Sequence, residues 1–246
     1  AALMMSVIAQ PDRRDLMAHN SPVPDYLSDL GKGVRGMRIA WSVDLGYVDR
    51  LDPEVRGICE SAVRRFEELG AIVEQATPDI ADPREVILTL WRAGAAAALR
   101  TIPQHQHQLL DPAFVACAEA GMGLSAMDFL DAFNARSALS RRMNEFHDRY
   151  DVLVTPTLPT PAFDAGYDVP AGQPTNEWLD WAPYSYPFNL TQQPAATVPC
   201  GLTSAGLPVG LQIVAPLRQD ALVLRAARAF EHAQPFEFLS APRKLA

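Results

Sequence analysis

The stretch from Met37 to Glu74 constrains the fold more than any other part of the chain. Met37-Arg38-Ile39-Ala40-Trp41 reads as a short strand. Asp52-Pro53-Glu54 then opens a helix by three agreeing devices: an Asp cap, proline at the first helical position and an acid at the positive end of the dipole. Apolar residues recur at every third or fourth position through Val55, Ile58, Cys59, Ala62, Val63, Phe66 and Leu69, until Gly70 stops the helix and Ala71-Ile72-Val73-Glu74 begins a second strand. Strand, helix and strand within about 40 residues signify a right-handed crossover, with the two strands parallel in one sheet.

Around this unit the pattern is that of an α/β chain. Before it, Pro11, Ser21-Pro22-Val23-Pro24 and the glycines Gly31, Gly33 and Gly36 break a long connection from Gln10 to Gly36. After it, Asp82-Pro83 repeats the cap-and-proline start for an alanine-rich helix to about Arg100. Ser125-Ala126-Met127-Asp128 resembles a capping box and starts a long helix to about Tyr150, with Phe129, Phe133, Leu139, Met143, Phe146 and Tyr150 as its expected buried stripe. Asp151-Val152-Leu153-Val154-Thr155 is a short apolar strand, followed by a proline-rich stretch to about Pro183. The last third returns to sheet at Ala195–Val198 and Val209–Val214, and closes with a helix from about Gln219 to His232.

Composition narrows the function classes. A chain of 246 residues with 48% hydrophobic and 20% charged residues can bury a substantial core and does not read as disordered. Its net charge of −8 argues against direct nucleic-acid binding, which draws its affinity from Lys and Arg displacing counterions. No apolar run approaches the roughly 20 residues of a membrane span and no signal segment opens the chain, so no membrane partner and a cytoplasmic location are expected. Cys59, Cys117 and Cys200 lack the close spacing of zinc or redox motifs and read as free, buried thiols.

The opening Ala1-Ala2-Leu3-Met4-Met5-Ser6-Val7-Ile8-Ala9 carries no capping residue ahead of its apolar stretch. It reads as starting inside an element, which leads to the expectation that the chain is part of a longer protein.

A search for catalytic groups yields little. Lys32 and Lys244 are the only lysines, and neither lies in a Ser-x-x-Lys context; there is no Ser-Ser pair, Gly-x-Ser-x-Gly elbow or phosphate-binding glycine motif. His105 and His107 could place two rings on one side of an extended segment, but no third ligand is evident, so a polar loop or helix end is favoured over a metal site. His147, near Glu145 and Asp148, is read as part of a solvated helical face. A thiol hydrolase built on Cys117 or Cys200 with a histidine is the least favoured enzyme. The most site-like stretch is Trp178-Leu179-Asp180-Trp181-Ala182-Pro183-Tyr184-Ser185-Tyr186-Pro187-Phe188-Asn189, which suits either a pocket wall or an aromatic plug between loops and sheet.

Three segments carry a family resemblance: Tyr150-Asp151-Val152-Leu153-Val154-Thr155-Pro156-Thr157, Phe188-Asn189-Leu190-Thr191-Gln192-Gln193-Pro194-Ala195-Ala196-Thr197-Val198-Pro199 and Gly206-Leu207-Pro208-Val209-Gly210-Leu211-Gln212-Ile213-Val214. In this order they resemble the C-terminal half of an amidase signature enzyme. The resemblance implies a large mixed, mostly parallel sheet flanked by helices, with residues 1–246 forming the C-terminal part of one domain. It also implies hydrolysis of a carboxylic amide C–N bond by a Ser-cisSer-Lys triad, with no cofactor and no metal. That triad belongs to the family's N-terminal half; nothing here matches its serine loop or lysine, so no catalytic residue is carried over and the chain alone is expected to be inactive.

The implied substrate-binding residues are Pro156, Thr157, Tyr184, Phe188 and Asn189, near the acyl or amide group of a small-molecule amide. The implied partner is the missing N-terminal half, and self-association is expected in its absence. Many relatives carry glycine where this chain has Gln192, and Trp91–Leu110 does not resemble the segment typical of the family's glutamyl-tRNA(Gln) amidotransferase subunit. Stand-alone amidase is therefore favoured over amidotransferase component. The alternative of a different class is a non-catalytic ligand- or partner-binding module.

Overall fold

A computed structural model describes residues 1–15, 18, 22–173 and 177–236, with only the backbone of Trp178; Ser21 and Lys244 lie outside the described residues. The elements in chain order are α1 (Ala2–Ile8), β1 (Arg38–Trp41), α2 (Pro53–Glu68), β2 (Ile72–Gln75), α3 (Arg84–Leu99), α4 (Pro112–Met122), α5 (Ala126–His147), β3 (Val152–Pro156), α6 (Tyr186–Thr191), β4 (Ala195–Leu202), β5 (Pro208–Val214) and α7 (Asp220–Ala233). Short 3-10 turns occur at Leu30–Lys32, Gln104–Leu109 and Trp178–Trp181.

The expected crossover is present. β1 pairs in parallel with β2 on one side and with β3 on the other. β5 then runs antiparallel between β3 and β4, giving the mixed sheet order β2-β1-β3-β5-β4. The cap of α2 explains its abrupt start, since the Asp52 carboxylate accepts from the backbone N–H groups of Glu54 and Val55. Ser125 and Asp128 close a reciprocal capping box at the start of α5. At Asp82-Pro83 the helix begins one residue later than the motif suggests, at Arg84, whose N–H is held by the Asp82 carboxylate at 2.9 Å.

Period-two alternation divides the sheet into two faces. Ile39, Trp41, Val152, Val154, Leu211 and Ile213 point to one side, where α2 and α7 cover them and Phe66 meets Phe230 with ring centroids 5.4 Å apart. Ala40, Leu153 and Val214 point to the other, under Met143, Phe146 and Tyr150 of α5 and Phe188 of α6. Farther out, α3 packs on the turn at Leu179 and on α6, and its distal end packs on α4. At that last contact Gly121 lets α4 lie against the backbone of α3: a Cβ there would stand 1.9 Å from the Arg92 carbonyl oxygen.

The long helix departs from its expected stripe. Met143, Phe146 and Tyr150 are buried, whereas Phe129 and Phe133 are exposed and stack on each other with centroids 6.4 Å apart. The sheet lies beneath only the C-terminal turns of α5, so the helical period continues past the surface that would cover it. His147 also departs from its solvated reading. Its Nδ1 lies 3.1 Å from the Tyr150 carbonyl, its Nε2 is buried without a partner, and burial lowers its pKa.

Among the described residues no single helix is long and apolar enough to cross a membrane.

Candidate functional site

The site is built where β3 ends. Thr157 continues the ladder past that strand by donating its N–H to the Gly210 carbonyl at 3.0 Å. Thr155 and Thr197 both stand opposite Gln212, on the strands flanking β5. Thr157 Oγ1 and Thr197 Oγ1 lie 3.1 Å apart, and Gly210 lies between them. A Cβ on Gly210 would stand 2.8 Å from Thr157 Oγ1 and 2.8 Å from Thr197 Cγ2, so the hydroxyl pair exists because this strand position has no side chain.

A cleft of about 470 Å³ opens beside the pair, bounded by Val55, Pro161, Phe163, Trp181, Pro199 and Val209 among others. Among the described residues no charged side chain lines it. Two hydroxyls carry two O–H groups, and their mutual hydrogen bond uses one. One donor therefore remains for an oxygen atom entering the cleft.

Beneath the cleft a buried polar network fixes the aromatic segment to the sheet. Gln212 Nε2 donates to Thr155 Oγ1 and to the Tyr184 carbonyl, both at 3.1 Å. Tyr184 in turn donates its hydroxyl to the Val43 carbonyl at 2.6 Å, and burial pushes that phenol well above its ordinary pKa. These bonds satisfy groups that would otherwise be stranded in the core.

The five residues expected at the site do not converge. Thr157 lines the cleft, and Pro156 is buried beside it. Tyr184 and Phe188 lie in the core between sheet and α5. Asn189 is exposed on α6, where its side chain donates to the Ser185 carbonyl at 3.0 Å, and it borders a separate hollow with Trp91, Arg136 and Ser185. The aromatic stretch thus divides, with Tyr184, Tyr186 and Phe188 acting as the plug and Trp181 as the wall. Sequence reasoning left Thr197, Gly210 and Phe163 out of the site. The isolated glycine within an apolar strand was the available signal for close approach; Phe163, in a proline-rich stretch without periodicity, offered none.

Other candidates are occupied or inert. Lys32 Nζ is paired with Asp29 at 2.6 Å and does not line the cleft. His107 Nε2 lies 2.9 Å from the Ile102 carbonyl, and among the described residues no group of three or more His, Cys, Asp or Glu could hold a metal. The Cys59 thiol is raised by its contact with the Cys200 thiol and by burial, and burial also raises Cys117, the reverse of an activated nucleophile. A polar hollow of about 550 Å³ bordered by Tyr186 contains the Arg84–Asp180 ion pair at 2.5 Å, which anchors the turn bearing Trp181 to α3.

Comparison with known proteins agrees with this architecture. The family model described as Amidase matches residues 1–224. The chain is 35% identical over 241 residues to an acylamidase of Rhodococcus erythropolis, covering 96% of this chain and 50% of that protein. It is 31% identical over 270 residues to a glutamyl-tRNA(Gln) amidotransferase subunit of Myxococcus xanthus, covering 98% and 54%. A bacterial aryl acylamidase of the amidase signature family superposes with a TM-score of 0.82 at 30% identity, covering 96% of this chain and 51% of that one. The chain spans about half the length of the relatives it matches. A mixed sheet with this helix order and a family match over nine-tenths of its length place the chain in the amidase family.

Proposed function

We propose that this chain forms one wall of the substrate site of an amide hydrolase. It would receive a small-molecule carboxylic amide while a Ser-cisSer-Lys triad outside the chain performs the chemistry. The observation that carries this reading is the cleft itself: a hydroxyl donor and an apolar wall, with no nucleophile and base paired along its lining among the described residues. Such a surface can hold an amide by its carbonyl but cannot attack it. In the complete reaction water is added across the C–N bond, releasing a carboxylic acid and an amine, and no cofactor is needed.

The partner in this reading is the remainder of the same protein, for which residues 1–246 are the C-terminal part of one domain. Among the described residues the outer edge of β4, eight residues long, pairs with no further strand, and in this reading the remainder of the protein pairs there. A stand-alone, cytoplasmic amidase is preferred over an amidotransferase component, since Trp91–Leu110 does not resemble the segment typical of the amidotransferase subunit.

The test is hydrolysis of a chromogenic acyl anilide. The chain alone should release no arylamine, and the chain joined to a preceding segment carrying the serine loop should release it. Turnover by the chain alone overturns the division of labour; no turnover by the joined protein leaves the non-catalytic binding module as the better reading.

A further inference from the structure

Phe163 and Trp181 border two spaces. One is the cleft beside the threonine hydroxyls, and the other is a hollow of about 530 Å³. Five aromatic side chains line this hollow: Trp91 from α3, Phe114 from α4, and Phe163, Tyr167 and Trp181 from the segment after β3. Phe163 and Trp181 hold each other edge to face, with ring centroids 5.5 Å apart. Trp91 and Tyr167, by contrast, are 45% and 70% exposed, which leaves ring surface for a ligand.

The charge around the hollow has one sign. Asp111 and Asp168 border it, and among the described residues no Lys, Arg or His does. The two carboxylates are not equivalent. Asp111 Oδ1 accepts from the N–H groups of Ala113 and Phe114 at 2.8 and 3.0 Å, so it offsets the positive end of α4. Asp168 is exposed and, among the described residues, forms no hydrogen bond or ion pair, so its charge is unspent. Arg92 acts on the thiol of Cys117, which also lines the hollow, but it is paired with Glu177 at 3.1 Å and brings no unopposed positive charge. Two carboxylates are too few for a metal ion, and among the described residues no larger group could hold one. Aromatic faces, however, attract a cation through the ring quadrupole, most strongly when it gives up its water. We propose that this hollow is a second ligand site, for a small organic ammonium ion whose cationic head rests against Trp91, Tyr167 and their aromatic neighbours with Asp168 as its counter-charge. A neutral molecule of the same shape gains the apolar contact but neither of the electrostatic ones. The site is separate from the amide cleft and does not depend on the function proposed for that cleft.

The test is titration of the chain with choline and with its neutral isostere 3,3-dimethylbutan-1-ol, followed through the indole N–H signals in a proton–nitrogen correlation spectrum. Choline should bind roughly tenfold tighter or better, and the signals of Trp91 and Trp181 should move. Asp168→Asn should weaken choline by roughly threefold to tenfold and leave the alcohol unchanged. Trp91→Leu and Tyr167→Leu should each weaken choline as well; both side chains are exposed, so the core is undisturbed. Asp79→Asn controls for the net charge of −8, since Asp79 is an exposed carboxylate that does not line the hollow, and it should leave choline binding as it was. Equal affinity for choline and the alcohol, no binding of choline, shifts that spare Trp91 and Trp181, or an equal loss from Asp79→Asn and Asp168→Asn overturns the proposal. No turnover enters any of these measurements, so failure of the joined protein to hydrolyse an amide would count against the proposed function alone.

Discussion

The Gln212 side-chain amide donates to Thr155 Oγ1 at 3.1 Å across the β3–β5 ladder. The same nitrogen holds the Tyr184 carbonyl, so one buried side chain joins the sheet to the segment leading into α6. Gln212→Leu would leave that carbonyl without its partner in the core, at a cost of about 1–3 kcal/mol. Urea unfolding of the variant should show this loss, with the slope of the transition unchanged.

Gly210→Ala should act on the cleft and on stability together. The added methyl meets Thr157 Oγ1 and Thr197 Cγ2 at 2.8 Å, so the two threonines must separate. The expected cost is about 1–3 kcal/mol, together with weaker binding of any carboxamide that uses the hydroxyl pair. Unfolding midpoints and probe titration on the same sample would show both effects; an unaltered affinity would mean that the pair does not touch the ligand.

Gly121→Ala meets backbone rather than side chain, at 1.9 Å from the Arg92 carbonyl oxygen, so nothing there can rotate away. About 3 kcal/mol or more of destabilisation is expected, concentrated at the α3–α4 contact. Limited proteolysis should then cut near α4 while the sheet stays protected.

Gln192 occupies the left-handed region at φ 60° and ψ 25°, directly after α6, with its side chain exposed. A residue with a Cβ costs about 1–2 kcal/mol there, part of which glycine returns through its greater freedom in the unfolded chain. Gln192→Gly should therefore raise stability by roughly 0.5–1 kcal/mol, read as a higher unfolding midpoint.

His147 gives the fold a dependence on pH. Burial disfavours its charged form, and protonating Nε2 would place an N–H where no acceptor exists; the Tyr150 carbonyl and the Asp151 carboxylate oppose this shift only in part. With the folded pKa below the unfolded value, the unfolded chain takes up the proton first. The His147 contribution is thus complete above about pH 6.5 and lost as the pH falls through the folded pKa. His147→Leu should flatten the stability profile across this window.

Leu3, Met4, Val7 and Ile8 of α1 are each at least 65% exposed, and Phe129, Leu130 and Phe133 leave a second apolar area on α5. If the remainder of the protein covers such surfaces, the chain without it should self-associate. Sedimentation velocity should show mass increasing with concentration, and serine at Leu3 and Val7 should reduce it.

Local signals in the sequence were the readable ones. The Asp52 and Ser125 caps, the α2 stripe and the apolar strands at residues 152–155 and 209–214 depend on neighbours within a few positions, and each is found in the structure. Helix α4 escaped notice although Asp111-Pro112 repeats the device of Asp52-Pro53, with Asp111 accepting from Ala113 and Phe114. Helix α6 is only six residues long and bears no period of its own; it forms because Tyr186, Phe188 and Leu190 are all buried by distant elements. The family motifs located β3, β4 and β5, but not which side chains face the cleft. Thr157 and Tyr184 differ in that respect through tertiary contacts that no spacing encodes.

The pairing of β1 with β3 joins residues 113 positions apart, Ile39 beside Val152. Everything between them, apart from the crossover through β2, is an excursion in which α3, α4 and α5 leave the sheet edge and return. Closing such an excursion depends only logarithmically on its length, with about 0.6 kcal/mol for each doubling. The chain can therefore lengthen, shorten or recast the helices around Trp91 and Phe114 at little thermodynamic cost while the strands carrying Thr157, Thr197 and Gly210 keep their register. Such a layout allows the cleft's surroundings to diverge faster than its floor.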